Sequence, residues 1–505
     1  MDVENIHIIT AQRSIILTQC CVYANNSVKS HTGILFLPCT TMTSISGIAI
    51  VLLLVFLFYK YVIDPALVSP LSRIPNAHFT APILPLWMWW KRRKGTENRT
   101  IYSLHERHGP VVRIGPNELS VNSIDGLRTI YTGGFEKTDW YRGIFLNYGT
   151  DNLVSTVNYN AHSALKRMIT NVYSKSYLQN SPDLKVISTT IVFDRLLPVL
   201  DELARTRKVI NVLPFGQAIG LDFTSSYLFG LVNGSDFVRD PKNWELWLEK
   251  YEIFKYQNPK DRAWGEIEKW CFDRCEKAGS WDDSDAEKLG GNINTIPVVY
   301  RQLCRSLGKS SQSPQKQRLI VASEMLDHLV AGHETSGITF TYFIWRISQR
   351  PDLQIRLREE LLGLSPQLLY PIAPENGEKK GGFQIPPPNA VDSLPLLDAT
   401  LRETLRLHAA APGPQPRVTP PTPTSINGYG NIPGGVKVSS SAYTLHRNPE
   451  VYPNPTEWFP ERWLEPEPGK YENMRRLFWA FGSGGRMCIG SNFALQGNTV
   501  GHLFF

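Results

Sequence analysis

The segment Phe481-Gly482-Ser483-Gly484-Gly485-Arg486-Met487-Cys488-Ile489-Gly490 concentrates the means to hold a soft metal. A lone cysteine is ordinarily a small buried hydrophobe. This one follows a glycine-rich turn and opens a helical pattern, with Arg486 two residues before it. Backbone amides, a helix N-terminus and a nearby cation all favour the thiolate, and glycines let the backbone approach a flat ligand. Upstream, Ala331-Gly332-His333-Glu334-Thr335-Ser336 sets a carboxylate beside a hydroxyl within an apolar helical run, a pair able to pass protons. No second histidine follows His333 at the spacing of a zinc protease, so that chemistry is excluded. Glu403 and Arg406 share one helix face at i, i+3. Cysteines at 20, 21, 39, 271, 275, 304 and 488 form no disulfide framework, and Cys271 and Cys275 lack a second ligand pair and read as two thiols on one helix face.

These groups need long elements to position them. Leu319 to Arg350 runs without a proline until Pro351, a helix of about 48 Å at the α-helical rise. A polar break, Gly308 to Gln317, precedes it, and a Pro/Gly-rich loop, Ser365 to Asp392, follows. Then come a short helix from Leu394 to His408, a proline-laden extended stretch from Pro412 to Pro433, and a last helix after Gly490. Gly109 to Gly115 reads as a strand.

Near the N-terminus, Ile45 to Ile63 is apolar on every face except Lys60, which fits a single membrane anchor better than a core helix. Arg13 and Lys29 precede it, while Lys60, Arg73 and Lys91 to Lys94 come at its end and beyond, so the large C-terminal part is placed in the cytosol. Leu86-Trp87-Met88-Trp89-Trp90 suits the headgroup layer, or else a core aromatic cluster. Ser69 to Pro82 reads as a hinge off the membrane. Asn25, Asn98 and Asn233 fit the glycosylation pattern, and only Asn25 is lumenal on this topology.

The whole chain has 505 residues, 42% hydrophobic and 20% charged, with a mean hydropathy of -0.21. Those values exclude a disordered, fibrous or polytopic membrane protein. A net charge of +7 without a long basic run argues against nucleic acid and suits an acidic partner or a membrane surface.

The spacing F-x-x-G-x-R-x-C-x-G resembles the haem-binding loop of the cytochrome P450 family, and further motifs follow in that family's order from the anchor to the last residues. The microsomal members are the better likeness, and LHRNPEVYPNPTEWFPERW resembles fungal enzymes of secondary metabolism. The resemblance implies a mainly α fold with small β-sheets (α+β), one large domain around haem. It divides the chain into an extension at 1–44, a transmembrane anchor at 45–63 and a catalytic domain at 64–505. Met42 stands where members usually begin, so 1–41 is expected to be absent from the mature enzyme. The chain ends at Phe505 soon after Cys488, where members continue into a β-hairpin, so the catalytic domain is expected to be truncated.

In site terms the resemblance makes Cys488 the axial ligand of the haem iron, flanked by Phe481 and Gly482, and Glu334 and Thr335 the proton carriers, with Gly332 letting the helix pass close over the macrocycle. Glu403, Arg406 and Arg462 of Pro460-Glu461-Arg462 become a structural triad. Arg486, Arg417, His162 and Lys166 face the propionates; Lys166 replaces an arginine and offers a point charge rather than a fork. Tyr141 to Thr156 and the helix side bearing Ala331 and Thr335 would line the pocket. The implied reaction inserts one atom of O2 into a lipophilic small molecule, with electrons from NADPH through a reductase docked on basic residues at the cysteine side, at the endoplasmic reticulum membrane. A haem-thiolate isomerase or dehydratase needing no external electrons, and an inactive relic, stand as alternatives.

Overall fold

The computed structural model describes residues 39–256, 262–280, 296–366, 385–464 and 469–502. The expected extension through residue 38, with Asn25, and residues 367–384 of the Pro/Gly-rich loop lie outside them. The apolar N-terminal segment is helical from Cys39–Phe58 and continues as a wider helical turn over Tyr59–Val68. Gly47–Val68 is long and apolar enough to cross a membrane, and Ile48 through Phe58 are exposed on every face. Lys60 lies over the rings of Phe56 and Tyr61.

Seven strands occur among the described residues: β1 (Val111–Gly115), β2 (Glu118–Val121), β3 (Glu136–Lys137), β4 (Pro414–Val418), β5 (Thr424–Ile426), β6 (Tyr429–Ile432) and β7 (Lys437–Ser441). The chain divides into two compact units, one of residues up to Ser120 with Pro421–Val436, the other of the remainder.

In the first unit, β5 and β6 pair antiparallel around Asn427 and Gly428, whose φ of 51° and 85° are what a two-residue hairpin turn demands. Met88, Ile101, Leu104, Val112 and Ile114 form its apolar core. Met88 is thus buried while Trp89 and Trp90 are exposed, so the aromatic cluster divides between core and surface. The expected hinge, Ser69 to Pro82, is instead woven into this unit. Leu71 and Ile74 are buried, the Arg113 N–H donates to Pro75 O, and the Ala77 N–H donates to Arg113 O. The Arg113 guanidinium, itself buried, donates to Pro65 O and Pro116 O at 2.7 and 2.6 Å. The stretch is fixed rather than flexible because its backbone pairs with Arg113 through Pro75 and Ala77 and its Leu71 and Ile74 are buried.

The second unit is organised by the helix Pro314–Ser348. It starts earlier than Leu319 because Ser313 caps it, its Oγ accepting from Lys316 N–H, with Pro314 at the first helical position. Its main partner is the helix Val212–Phe229, buried from Gly216 onward. The two axes approach through glycines. A Cβ on Gly337 would lie 2.4 Å from Gln217 Cγ and 2.8 Å from its backbone nitrogen. A Cβ on Gly332 would lie 2.3 Å from Thr224 Oγ1, so the neighbouring helix by itself requires this glycine. Leu221, Leu228, Phe229, Met325, Leu326 and Leu329 fill the space around this contact, joined by buried Cys271 and Cys275. In the same unit β4 pairs antiparallel with β3 and with β7, which sets Lys137 opposite Arg417.

Overpacking a backbone contact of this kind costs roughly 1–3 kcal/mol. Gly337→Ala is expected to lower the thermal midpoint measurably. Gly143→Ala, on a helix where an added Cβ meets nothing within 4 Å, is expected to leave it unchanged or raise it slightly in the same melting experiment.

Candidate functional site

The cysteine loop is closed by its own backbone. Cys488 N–H donates to Phe481 O at 2.9 Å, Met487 N–H to Gly484 O at 3.1 Å, and Gly482 N–H to Trp479 O at 3.1 Å. Gly482 and Gly484 take φ of +70° and +69°, which a side chain would strain. Gly484 has a second reason to be glycine, because a Cβ would lie 2.2 Å from Tyr131 O. The close approach expected toward a flat ligand is therefore made toward protein backbone. Past Gly490 the chain enters the helix Ser491–His502.

Lys166 holds the loop from outside, its ammonium donating to Gly485 O and Met487 O at 3.0 and 2.9 Å. Burial pushes the Cys488 thiol above its usual value, while the Gly490 N–H and the Lys166 charge pull it down. The cation that favours the thiolate is therefore Lys166, not Arg486. Arg486 donates instead to Thr156 O at 2.7 Å and to Val157 O. In the helix Tyr159–Ile169, His162 and Lys166 are one turn apart and do separate work, while Arg167 is exposed.

Beside the loop, cations gather without acids to pair with them. Lys137 and Arg417 are 6% and 3% exposed, and His162 is buried near them. Lys137 Nζ donates to Leu153 O and Val154 O at 3.2 and 2.6 Å, and Arg417 donates to Tyr141 Oη at 3.0 Å while stacking on Tyr131. Burial, with the charges of Arg486, Lys137, Lys166 and Arg417 behind it, pushes His162 down to about 3. Lys137 is likewise driven well below its ordinary value by burial, then by Arg417 and Arg486. Among the described residues no carboxylate forms an ion pair with Lys137, Arg417 or Arg486, and His162 Nδ1 and Arg486 Nε are buried without a hydrogen-bond partner. Such a donor set fits a dianion, as haem with its two propionates would supply. The thiol fits as well: Cys488 is unpaired and accessible despite its depth in the fold. Sequence reasoning missed Lys137 and Tyr131 and gave Tyr141 only as part of the pocket lining; the pairing of β3 with β4 sets Lys137 opposite Arg417, and Tyr131 Oη donates to Gln415 O.

On the long helix, Ala331 and Thr335 are exposed midway along an element whose Leu329, His333 and Ile338 are buried. Thr335 Oγ1 donates to Ala331 O at 2.8 Å. Glu334, one residue earlier, is turned by about 100° and accepts from Tyr251 Oη at 2.6 Å. The structure therefore gives the two expected proton carriers different surroundings, and adds Tyr251, for which the sequence carries no local signal. Tyr141 to Thr156 lies against the helix, through Asn147 Nδ2 to Ser323 O, Ser323 Oγ to Thr150 O and Leu153 N–H to Glu324 Oε2.

Behind the loop, Glu403 and Arg406 on the helix Pro395–Leu407 are wholly buried, which excludes a surface pair. The Glu403 carboxylate accepts from Arg406 at 2.8 and 2.9 Å, from Arg462 Nε at 3.0 Å, from Trp463 Nε1 at 2.9 Å and from Phe459 N–H at 2.9 Å. Burial pushes its pKa up, but the hydrogen bonds and charges of Arg406 and Arg462 outweigh burial and hold it below the usual range. Arg406 spends its remaining donors on His446 O, Pro455 O and Glu457 O. His446 then bonds back, Nδ1 to Arg406 O at 2.7 Å, while its Nε2 accepts from Trp479 N–H at 2.7 Å, just before Phe481. These bonds fix a neutral ring with the proton on Nδ1.

Glu403→Gln would leave two guanidiniums without their counter-charge, a loss of roughly 3–5 kcal/mol for a buried pair. The expected outcome is little or no folded protein, read as soluble yield and thermal midpoint. His446 is held down to about 3, by burial above all. Its unfolded value is near 6.5, so between about pH 6.5 and 3 the unfolded chain binds more protons, and stability falls as pH falls, by at most about 1.4 kcal/mol per pH unit for this ring. Denaturant midpoints measured at pH 7, 6 and 5 are expected to decline less steeply in His446→Gln than in the parent.

The cytochrome P450 family model matches residues 306–499, which hold the Glu334-Thr335 pair, the Glu403 network and the cysteine loop. The chain is 27% identical to the cytochrome P450 monooxygenase avaI of Aspergillus versicolor over 78% of this chain and 93% of that protein. It is 24% identical to the cytochrome P450 monooxygenase orf2 of Aspergillus niger, covering 92% of this chain and 89% of the other. It is 28% identical to the cytochrome P450 monooxygenase hepC of Aspergillus oryzae, covering 86% of both. A cysteine presented by a closed glycine loop, locked by a buried Glu-Arg-Arg network and set beside unpaired cations, agrees with these likenesses: residues 306–499 carry a cytochrome P450 domain, and the chain is similar over most of its length to fungal cytochrome P450 monooxygenases.

Proposed function

We propose that this enzyme oxygenates a lipophilic small molecule of fungal secondary metabolism while anchored to the endoplasmic reticulum membrane by Gly47–Val68, with the part beyond the anchor catalytic and cytosolic. The observation that carries the reading is the accessible Cys488 beside a surplus of buried cations. Haem held through Cys488 supplies the electron-rich iron that splits O2, one atom going to the substrate and the other to water. Every other task falls to the chain. Cys488 Sγ would hold the iron; Lys166 fixes the loop that presents it; Arg417, Lys137 and the free edges of Arg486 and His162 would hold the propionates. Thr335 offers a hydroxyl on the accessible side of the helix for moving protons, and Glu334, tied to Tyr251, holds a carboxylate one position away. The electrons come from NADPH through a flavoprotein reductase, whose acidic face suits exposed basic residues on the cysteine side.

The test is a reduced carbon monoxide difference spectrum of the purified protein, followed by turnover with NADPH and a reductase. A red-shifted Soret band is expected in the parent and is expected to be lost in Cys488→Ser, with turnover strictly dependent on NADPH. Haem bound without that shift would remove the thiolate assignment. Turnover without reductant would favour an isomerase or dehydratase.

A further inference from the structure

Asp327, Ala331 and Thr335 recur every four residues on the long helix and so lie above one another along one stripe. Ala331 and Thr335 are exposed there, and Asp327, one turn earlier, keeps 9% of its surface. Its acidic neighbour is already engaged. Glu324 Oε2 accepts from Leu153 N–H at 3.0 Å, and its Oε1 lies 3.1 Å from His328 Nε2, while His328 Nδ1 is 2.8 Å from Tyr173 Oη. Burial opposes a charge on His328, yet the close contact and charge of Glu324 outweigh it and raise the ring's pKa. The three side chains come close enough together to suggest a metal site. Tyr173 engages one imidazole nitrogen and Leu153 N–H one Glu324 oxygen, while His328 Nε2 and Glu324 Oε1 face each other at 3.1 Å as an ion pair without a hydrogen bond.

Asp327 stands apart from this pair. Among the described residues it makes no hydrogen bond and no ion pair. Burial and the charge of Glu324 push its carboxyl up to about 7, against the pull of His328 and Lys137. A nine-tenths-buried carboxyl without a donor is costly, and a donor entering the space it shares with Ala331 and Thr335 offsets that cost. Eight helical positions separate Asp327 from Thr335, about 12 Å along the axis, a span within the length of a small lipophilic molecule.

We infer that Asp327 is a specificity-determining residue of the substrate pocket, its carboxyl accepting a hydrogen bond from a hydroxyl or amine on an otherwise apolar substrate. The inference rests on the monooxygenase reading. A site built to bond a polar group rejects analogues that lack it far more strongly than an apolar pocket rejects an extra one.

The test uses haem-loaded protein and 1-alkylimidazoles of graded length whose tails end in methyl, hydroxyl or ammonium, the imidazole binding iron and the shift of the Soret band reporting Kd. In the parent, at some tail length, hydroxyl or ammonium tails are expected to bind about tenfold tighter than methyl, the order of one charge-assisted hydrogen bond. Asp327→Leu is expected to abolish that preference and leave methyl tails unchanged. Asp327→Asn, which keeps the shape and one acceptor oxygen, is expected to keep the hydroxyl preference and lose the ammonium preference, and it stands as the test if the leucine variant does not hold haem. Hydroxyl preferred over ammonium in the parent assigns an alcohol substrate, the reverse an amine. No preference in the parent at any length, or one that survives Asp327→Leu, overturns the inference. A carbon monoxide spectrum of the same sample without the red shift would instead overturn the parent reading.

Discussion

One buried carboxylate governs the architecture around the cysteine. Glu403 leaves water entirely and is repaid by two guanidiniums, an indole N–H and a backbone N–H. A charge so placed is stable only if every partner is present, and the network draws on three stretches of chain: the helix Pro395–Leu407, the carbonyls between His446 and Glu457, and the Phe459–Trp463 turn, with His446 passing the constraint on to Trp479. The cysteine loop begins two residues later. Its position is thus inherited from an electrostatic requirement deep in the protein, and contributes its own two positive-φ glycines only for the final turn.

The cation cluster follows the opposite logic. Arg417 and Arg486 crowd Lys137 with like charge beside a neutral His162, and the group is kept in place by carbonyls, tyrosine rings and the β3–β4–β7 ladder rather than by acids. Burial, then the charges of Arg417 and Arg486, drive Lys137 well below its ordinary value. A fold that tolerates uncompensated charge at one place is built to receive an anion there. The proposed haem dianion would supply the counter-charge that this cluster lacks.

Much of this was legible in the sequence, and the limits have physical causes. Residue pairs on one helix turn, such as Glu403 with Arg406 or His162 with Lys166, are readable because helical spacing fixes their relation. What they touch is not readable when the partner is a backbone carbonyl, since a carbonyl has no letter. That is why Lys166 looked like a propionate ligand and holds Gly485 and Met487, and why Arg486 looked like the thiolate's cation and bonds Thr156 and Val157. Glycines were misread for a related reason. Gly332 and Gly484 signal close approach, but the approaching group is Thr224 in one case and Tyr131 in the other. The helix start was available in Ser313-Pro314, a cap and first-turn proline hidden inside a stretch polar enough to pass for loop.

The long helix joins these themes through its unequal faces. Its glycine side is committed to the helix Val212–Phe229, which fixes its height and rotation to within a methyl group. With that rotation fixed, Glu334 must point to Tyr251, His333 must enter the ring cluster of Trp244, Trp247 and Tyr251, and the stripe of Asp327, Ala331 and Thr335 must face accessible space. A change of one residue in register would turn the stripe by about 100° and bury the threonine. The accessible face is therefore specified less by its own residues than by the small ones on the far side, which carry no chemistry and leave the helix only one way to sit.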